Sequence, residues 1–193
     1  MSAQATNERA ILSDFAELFS YPRGDVARIA RHCLELLGPG HPAASALEDF
    51  AAWAALVDPG EIEEVYSGTF DLEPTCAPYV GWQLCPDPER RNLFLSELSA
   101  VYSREGFRPR EELGDHVAEM LRFLAVARDE EARLTVLREG LGPAVERMVS
   151  SFEPPFNPYR WLLDALAAHL APGAVQSAIP AADRARPAQE ARP

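Results

Sequence analysis

The sequence predicts an all-α fold, a single-domain helical bundle of about nine helices. Three observations carry this. Among 193 residues, Ala and Leu number 53 while Val, Ile and Thr number 19, so helix formers far outweigh strand formers. Apolar residues recur at i, i+3, i+4 and i+7 in one segment after another, with no sustained period-2 alternation. Proline repeatedly follows a residue able to cap a helix, the place where its missing N–H costs nothing.

The elements follow in order. Ile11, Leu12, Phe15, Leu18 and Phe19 form the first stripe, stopped near Tyr21-Pro22. Val26, Ile29, Ala30, Cys33, Leu34 and Leu37 form the second, stopped by Gly38-Pro39-Gly40. Leu47, Phe50, Ala54 and Val57 mark the third, after the weaker start His41-Pro42. Asp58-Pro59-Gly60-Glu61 reads as a capped start for the fourth, which carries Ile62, Val65, Tyr66 and Phe70. Asp87-Pro88 opens the fifth, with Leu93, Phe94, Leu98, Val101 and Tyr102, ending at Gly106. Val117, Met120, Leu121, Leu124 and Ala125 give the sixth. Leu134 to Leu141, Val145 to Phe152 (behind Gly142-Pro143) and Tyr159 to Leu170 (behind Asn157-Pro158) give three more. Asp71 to Asp87 is a long irregular connection holding Tyr79 and Trp82, with room for a short helix around Tyr79 to Leu84. The helical domain is expected over residues 1–171. Residues 172–193, with four prolines, seven alanines and no aromatic, are expected to be a disordered tail.

Charge and composition exclude several functions. The chain has 18 basic residues, all arginine, against 30 acidic ones, a net charge of −12. It lacks the basic face of a nucleic-acid binder, and without lysine it has neither a P-loop nor a Schiff-base amine. Residues 1–171 hold 28 acidic and 15 basic residues, net −13, and the tail is net +1. The negative field therefore belongs to the folded body, where it would attract a basic partner. Three cysteines without a close pair suggest a reducing compartment. The polar start, Met1 to Arg9, shows no secretory leader, and the longest apolar run, Phe50 to Val57, is too short to span a bilayer. A cytoplasmic protein with no membrane insertion is expected.

Chemistry-bearing residues are few. None of the four histidines lies in a Gly-x-Ser-x-Gly or His-Glu-x-x-His context. A metal-binding or enzymatic reading would rest on Cys76, Cys85 and His116, but the gap between the cysteines lacks the spacing of a zinc knuckle. Asp115 and His116 are adjacent, so on a helix they would not face each other. On chemistry alone, Asp115 is expected to cap the helix that starts there and His116 to sit in its exposed first turn. The other reading is a recognition site in which a carboxylate and a histidine meet a basic peptide. Tyr66 and Phe70, four apart, read as core, whereas Trp82 fits a core role or an aromatic groove equally.

Taken together the motifs resemble a known family. Glu64-Val65-Tyr66-Ser67-Gly68-Thr69-Phe70-Asp71 resembles the E-x-Y-x-x-x-F-D motif of the NarJ/TorD/DmsD family. Glu112-Leu113-Gly114-Asp115-His116-Val117, followed by Leu121-Arg122-Phe123-Leu124, resembles its E-L-P-D-H-L and L-E-F-L signatures. Arg90-Arg91 before an apolar helix, and Asn157-Pro158-Tyr159-Arg160 before the last one, also fit. Gly114 stands where the family has proline and Arg122 where it has glutamate, which puts an acidic contact at residue 122 in doubt. The Cys76 to Cys85 loop looks closer to the NarJ-like, nitrate reductase delta-subunit type.

The resemblance implies a TorD/NarJ-like helical chaperone, not an enzyme. Such a chaperone binds the N-terminal, leader-like segment of a molybdoenzyme catalytic subunit while molybdenum cofactor is inserted and the enzyme assembled. It would need no metal or cofactor of its own, and it would be a monomer or a dimer. The Asp-His pair carries over to Asp115 and His116. Glu112, Tyr66, Phe70 and Trp82 are placed near the same peptide-binding groove by analogy. A helical scaffold with an unrelated client remains a further alternative.

Overall fold

The computed structural model describes residues 3–71, 74, 76–152 and 156–171. The tail 172–193 and residues 72, 73 and 75 of the long connection lie outside these. Nine helices are found among the described residues. They are α1 (Ala3–Leu18), α2 (Val26–Leu37), α3 (Ala44–Ala54), α4 (Pro59–Phe70), α5 (Val80–Leu84), α6 (Pro88–Arg104), α7 (Val117–Val126), α8 (130–151) and α9 (Tyr159–Leu170). The number matches the sequence expectation by a different route. The short α5 adds one helix, while the two stripes expected on either side of Gly142-Pro143 form one continuous helix.

α8 is α-helical over Glu130–Thr135, widens to a π-helix over Val136–Leu141, and resumes as α over Gly142–Ser151. Pro143 therefore opens no separate helix. Its ring has no N–H to give an α-helical bond, and the widened turn just before it accommodates the change of register. Other punctuation behaves as expected. Asp87 Oδ1 accepts from Arg90 N at 2.8 Å, Asn157 Oδ1 from Tyr159 N at 3.0 Å, and Gly38 and Gly106 end helices at φ 76° and 69°. Asp58 precedes Pro59 as predicted, yet its side chain makes no capping bond.

α7 is buried almost all round, which explains its nearly unbroken apolar sequence. α1 packs along α7 and α2, α2 against α3, α3 against α9, and α9 against α8. The short α5 rests on α6 and on the second half of α8. A continuous core runs through Phe15, Phe19, Phe50, Phe123, Leu121 and Tyr159, all fully buried. The aromatic end of that core organises α4. The Phe70 ring lies 5.1 Å from Tyr159, 5.2 Å from Tyr66 and 6.2 Å from Phe19. Such edge and tilted pairs each contribute about 1 kcal/mol beyond their burial. Thr69, on the same helix, accepts from Asn157 Nδ2 at 2.7 Å through its hydroxyl and from Cys76 N at 3.1 Å through its carbonyl. The last turn of α4 thus ties the start of α9 to the connection that leads into α5.

No helix among the described residues is long and apolar enough to cross a membrane.

Candidate functional site

The connection after α4 and the loop before α7 meet at a single antiparallel bridge, Tyr79 with His116. Val117 N donates to Pro78 O at 2.9 Å, and Val80 N donates to Asp115 O at 2.7 Å. Two backbone bonds therefore clamp the start of α5 onto the start of α7. This pairing turns the side chains of Asp115 and His116 inward, and it overturns the sequence expectation for both residues.

His116 does not sit in an exposed first turn. It is buried and is itself the cap of α7, its Nδ1 accepting from Ala118 N at 3.1 Å. With Nδ1 as acceptor, the ring proton belongs on Nε2. The Tyr79 ring meets it edge-on at 5.2 Å. Burial, helped by the charge of Arg122, lowers the imidazole pKa to about 4, so His116 is neutral at physiological pH.

Asp115 does not cap α7. It is wholly buried, and its Oδ2 accepts from Gly81 N at 3.1 Å and from Arg91 Nη2 at 3.3 Å. Gly81 is required there, because a Cβ on it would lie 2.7 Å from Asp115 Oδ2 and 3.0 Å from Arg91 Cγ. Asp115 Oδ1 and Arg91 Nε are both buried without a hydrogen-bond partner among the described residues.

Arg91 gathers the remaining site residues. Its guanidinium carbon lies 5.0 Å from the Trp82 ring centre and 5.9 Å from that of Tyr79. Trp82 is 62% exposed, so of the two roles left open for it the structure favours the surface one. The Tyr79 hydroxyl donates to exposed Glu112 at 3.0 Å, and burial together with this carboxylate pushes its pKa up to about 12. The loop bearing Glu112 is held by a second buried carboxylate. Glu119 accepts from Arg110 N at 3.1 Å and Glu111 N at 3.4 Å, and pairs with Arg122 at 2.6 Å. Arg122 also reaches Glu17 and the Ser20 hydroxyl. Arg122 is thus an internal brace.

Asp115, His116, Glu112 and Trp82 are accordingly brought together, whereas Tyr66 and Phe70 are not at this surface. Both are buried in the aromatic core, where the Tyr66 hydroxyl donates to Phe19 O at 3.3 Å. Burial raises the Tyr66 pKa, and the nearby charges of Asp71 and Glu112 add to this. The outward face of the same helix lines a groove of about 930 Å³ with Glu61, Glu64, Val65 and Gly68, opposite Phe156 and Pro158. Phe156 is 94% exposed, and Asp58 also lines the groove. The carboxylates of Asp58, Glu61 and Glu64 form no ion pair among the described residues.

The metal reading fares differently. Among the described residues no group of three His, Cys, Asp or Glu is arranged to hold an ion. Cys76 is buried with its thiol pushed up to about 12, and the Nδ1 of His116 is committed to the cap. Sequence reasoning missed Gly81 and Arg91 as members of the site, whereas Tyr79 stood out as one of the aromatics of the long connection. Arg91 carried a signal only as half of an Arg-Arg pair, and nothing in the sequence marks Gly81 as lying over a carboxylate.

A family model described as "Nitrate reductase delta subunit" matches residues 39–159, more than half of the chain. The match contains the α4 motif, the bridge and all of Glu112 to Leu124. None of the curated proteins compared with the chain matches it.

Proposed function

The chain belongs to the nitrate reductase delta subunit family, a family of molybdoenzyme assembly chaperones, and on that premise we propose how it captures its client. It binds the N-terminal, leader-like segment of a molybdoenzyme catalytic subunit in the cytoplasm and holds that subunit until molybdenum cofactor is in place. The family match carries this reading. Two features of the molecule support it. The body of the chain carries an excess of carboxylates that draws in a basic segment. The groove on α4 offers apolar Val65 and Phe156 beside Asp58, Glu61 and Glu64, a lining suited to a peptide with both apolar and basic residues.

Roles within the site follow from chemistry. Trp82 and Glu112, both at the surface, make the outer contacts with the peptide. Asp115 supplies the buried negative charge. His116, neutral and spent on capping, holds the backbone that presents Asp115. Tyr66 and Phe70 act from beneath by fixing α4, so their contribution is to position the groove.

The test is to produce the catalytic subunit of the organism's nitrate reductase-like enzyme with and without this chain. The molybdenum bound to the purified subunit is then measured. The reading expects a subunit depleted in molybdenum when the chain is absent. Equal molybdenum in both preparations would contradict it.

A further inference from the structure

A client cation cannot reach Asp115 as the molecule stands, because the carboxylate is fully buried beneath Gly81 and Arg91. We propose that Arg91 is an internal stand-in for an arginine of the client, and that binding exchanges one guanidinium for the other over Asp115. This inference rests on the chaperone reading and specifies how its site recognises a basic segment.

The internal pair is poorly matched. A guanidinium and a carboxylate at their best form two parallel bonds that use both oxygens. Here there is one bond, at 3.3 Å, and it leaves Asp115 Oδ1 and Arg91 Nε buried and unpaired. Each unmade bond is a cost of the resting state that a better-placed donor would remove. The Oδ1 atom calls for a donor, and the second fork of an incoming guanidinium supplies one.

The surroundings suit that ion. Trp82, against whose ring Arg91 lies, is exposed, and the Arg91 side chain is itself 21% exposed, so a guanidinium leaving the carboxylate has water close by. An entering one finds the same indole face, the Tyr79 ring, and Glu112 at the surface as a first point of attraction. The bare Cα of Gly81 leaves room for either occupant. A planar, forked cation fits this slot between ring and carboxylate. A lysine ammonium could use the charge but not the second oxygen or the stacking.

The experiment uses the full-length chain, its Arg91→Ala and Arg91→Gln variants, and each of these combined with Asp115→Asn. Two probes are titrated. One is an arginine-bearing N-terminal peptide of the nitrate reductase-like catalytic subunit, and the other is N-acetylarginine amide at millimolar concentration. Indole emission is followed, with Trp82→Phe to assign it. Removing Arg91 is expected to tighten peptide binding about tenfold, the scale of one lost competing hydrogen bond. N-acetylarginine amide should then perturb Trp82 in the variants but not in the parent, and Asp115→Asn should cancel both gains. An N-acetyllysine amide control should do less.

Peptide affinity that stays equal or weakens in folded Arg91 variants, with Trp82 silent, overturns the exchange and leaves the chaperone reading standing. Amide binding in the variants with no peptide binding anywhere supports the guanidinium site and contradicts the client. Should neither variant fold, the Arg91 Nε–H resonance of the parent decides. The exchange predicts that it moves on peptide saturation, and an unmoved resonance refutes it.

Discussion

Replacing Asp115 tests whether this carboxylate also holds the site together. In Asp115→Ala the Gly81 N–H loses its acceptor in a buried place, and Arg91 loses its only ionic partner among the described residues. A buried donor left unpaired costs about 1–3 kcal/mol. The side chain of Arg91 is 21% exposed and can hydrate part of its charge, so its loss adds about 1 kcal/mol instead of the full penalty of a trapped ion. The backbone bond from Val80 N to Asp115 O survives, which limits the damage to the α5 clamp. The sum is about 2–4 kcal/mol, a fall in Tm of roughly 5–12 °C for a domain of this size. Asp115→Asn keeps an acceptor for Gly81 and should lose less than half as much. Thermal melts followed by far-UV circular dichroism measure both. An Asp115→Ala protein melting within 2 °C of the parent would refute the argument. A binding defect in Asp115→Ala is therefore informative only beside the Asn variant.

Three further outcomes are expected. The neutral, buried His116 titrates at about 4 in the folded protein, against an ordinary value of 6.5 when unfolded, so the unfolded chain binds the extra proton between these values. Stability contributed by His116 is then complete above pH 6.5 and falls by up to about 3 kcal/mol as pH drops to 4. Urea melts across this range should show a shallower slope in His116→Asn, which keeps a capping acceptor without the titration. Gly81→Ala should displace Arg91 or Asp115, because its Cβ would sit 2.7 Å from Oδ2, and should lower the melting temperature although the helix propensity of alanine is higher. With an aromatic disulfide reagent at pH 8, one thiol of three should react quickly in the native protein. Cys85 is partly exposed, while Cys33 and Cys76 are buried with raised pKa values.

The helical architecture was legible because it depends on local periodicity and capping, both of which are written in consecutive residues. The stripe from Val117 to Ala125 announced α7, and Asp87-Pro88 announced the start of α6. The merger of two expected helices into α8 was not legible. Gly142-Pro143 has the form of a helix start, and only a widened turn lets the chain continue through it. At the candidate site, sequence reasoning singled out Asp115 and His116 but placed neither side chain where the structure has it. Asp115 and His116 were read along one helix, as cap and exposed first turn. Their roles are set by a bridge to Tyr79, a residue 37 positions away, which buries both and transfers the cap to His116. Non-local pairing of this kind leaves no periodic trace. The same holds for Gly81 over Asp115 and for Arg91 between Asp115 and Trp82. Tyr66 and Phe70 show the converse. Their four-residue spacing correctly indicated core, and it was the family analogy that moved them toward the peptide.

We propose that this chain captures the N-terminal segment of a molybdoenzyme catalytic subunit. Isothermal titration of the full-length chain with that synthetic segment tests it most directly. Saturable one-to-one binding is expected, with a Kd of tens of micromolar or tighter, an affinity that falls as salt rises, and a marked loss when the arginines of the segment become glutamine. No binding at about 100 μM peptide, or an affinity indifferent to both salt and arginine, would contradict it.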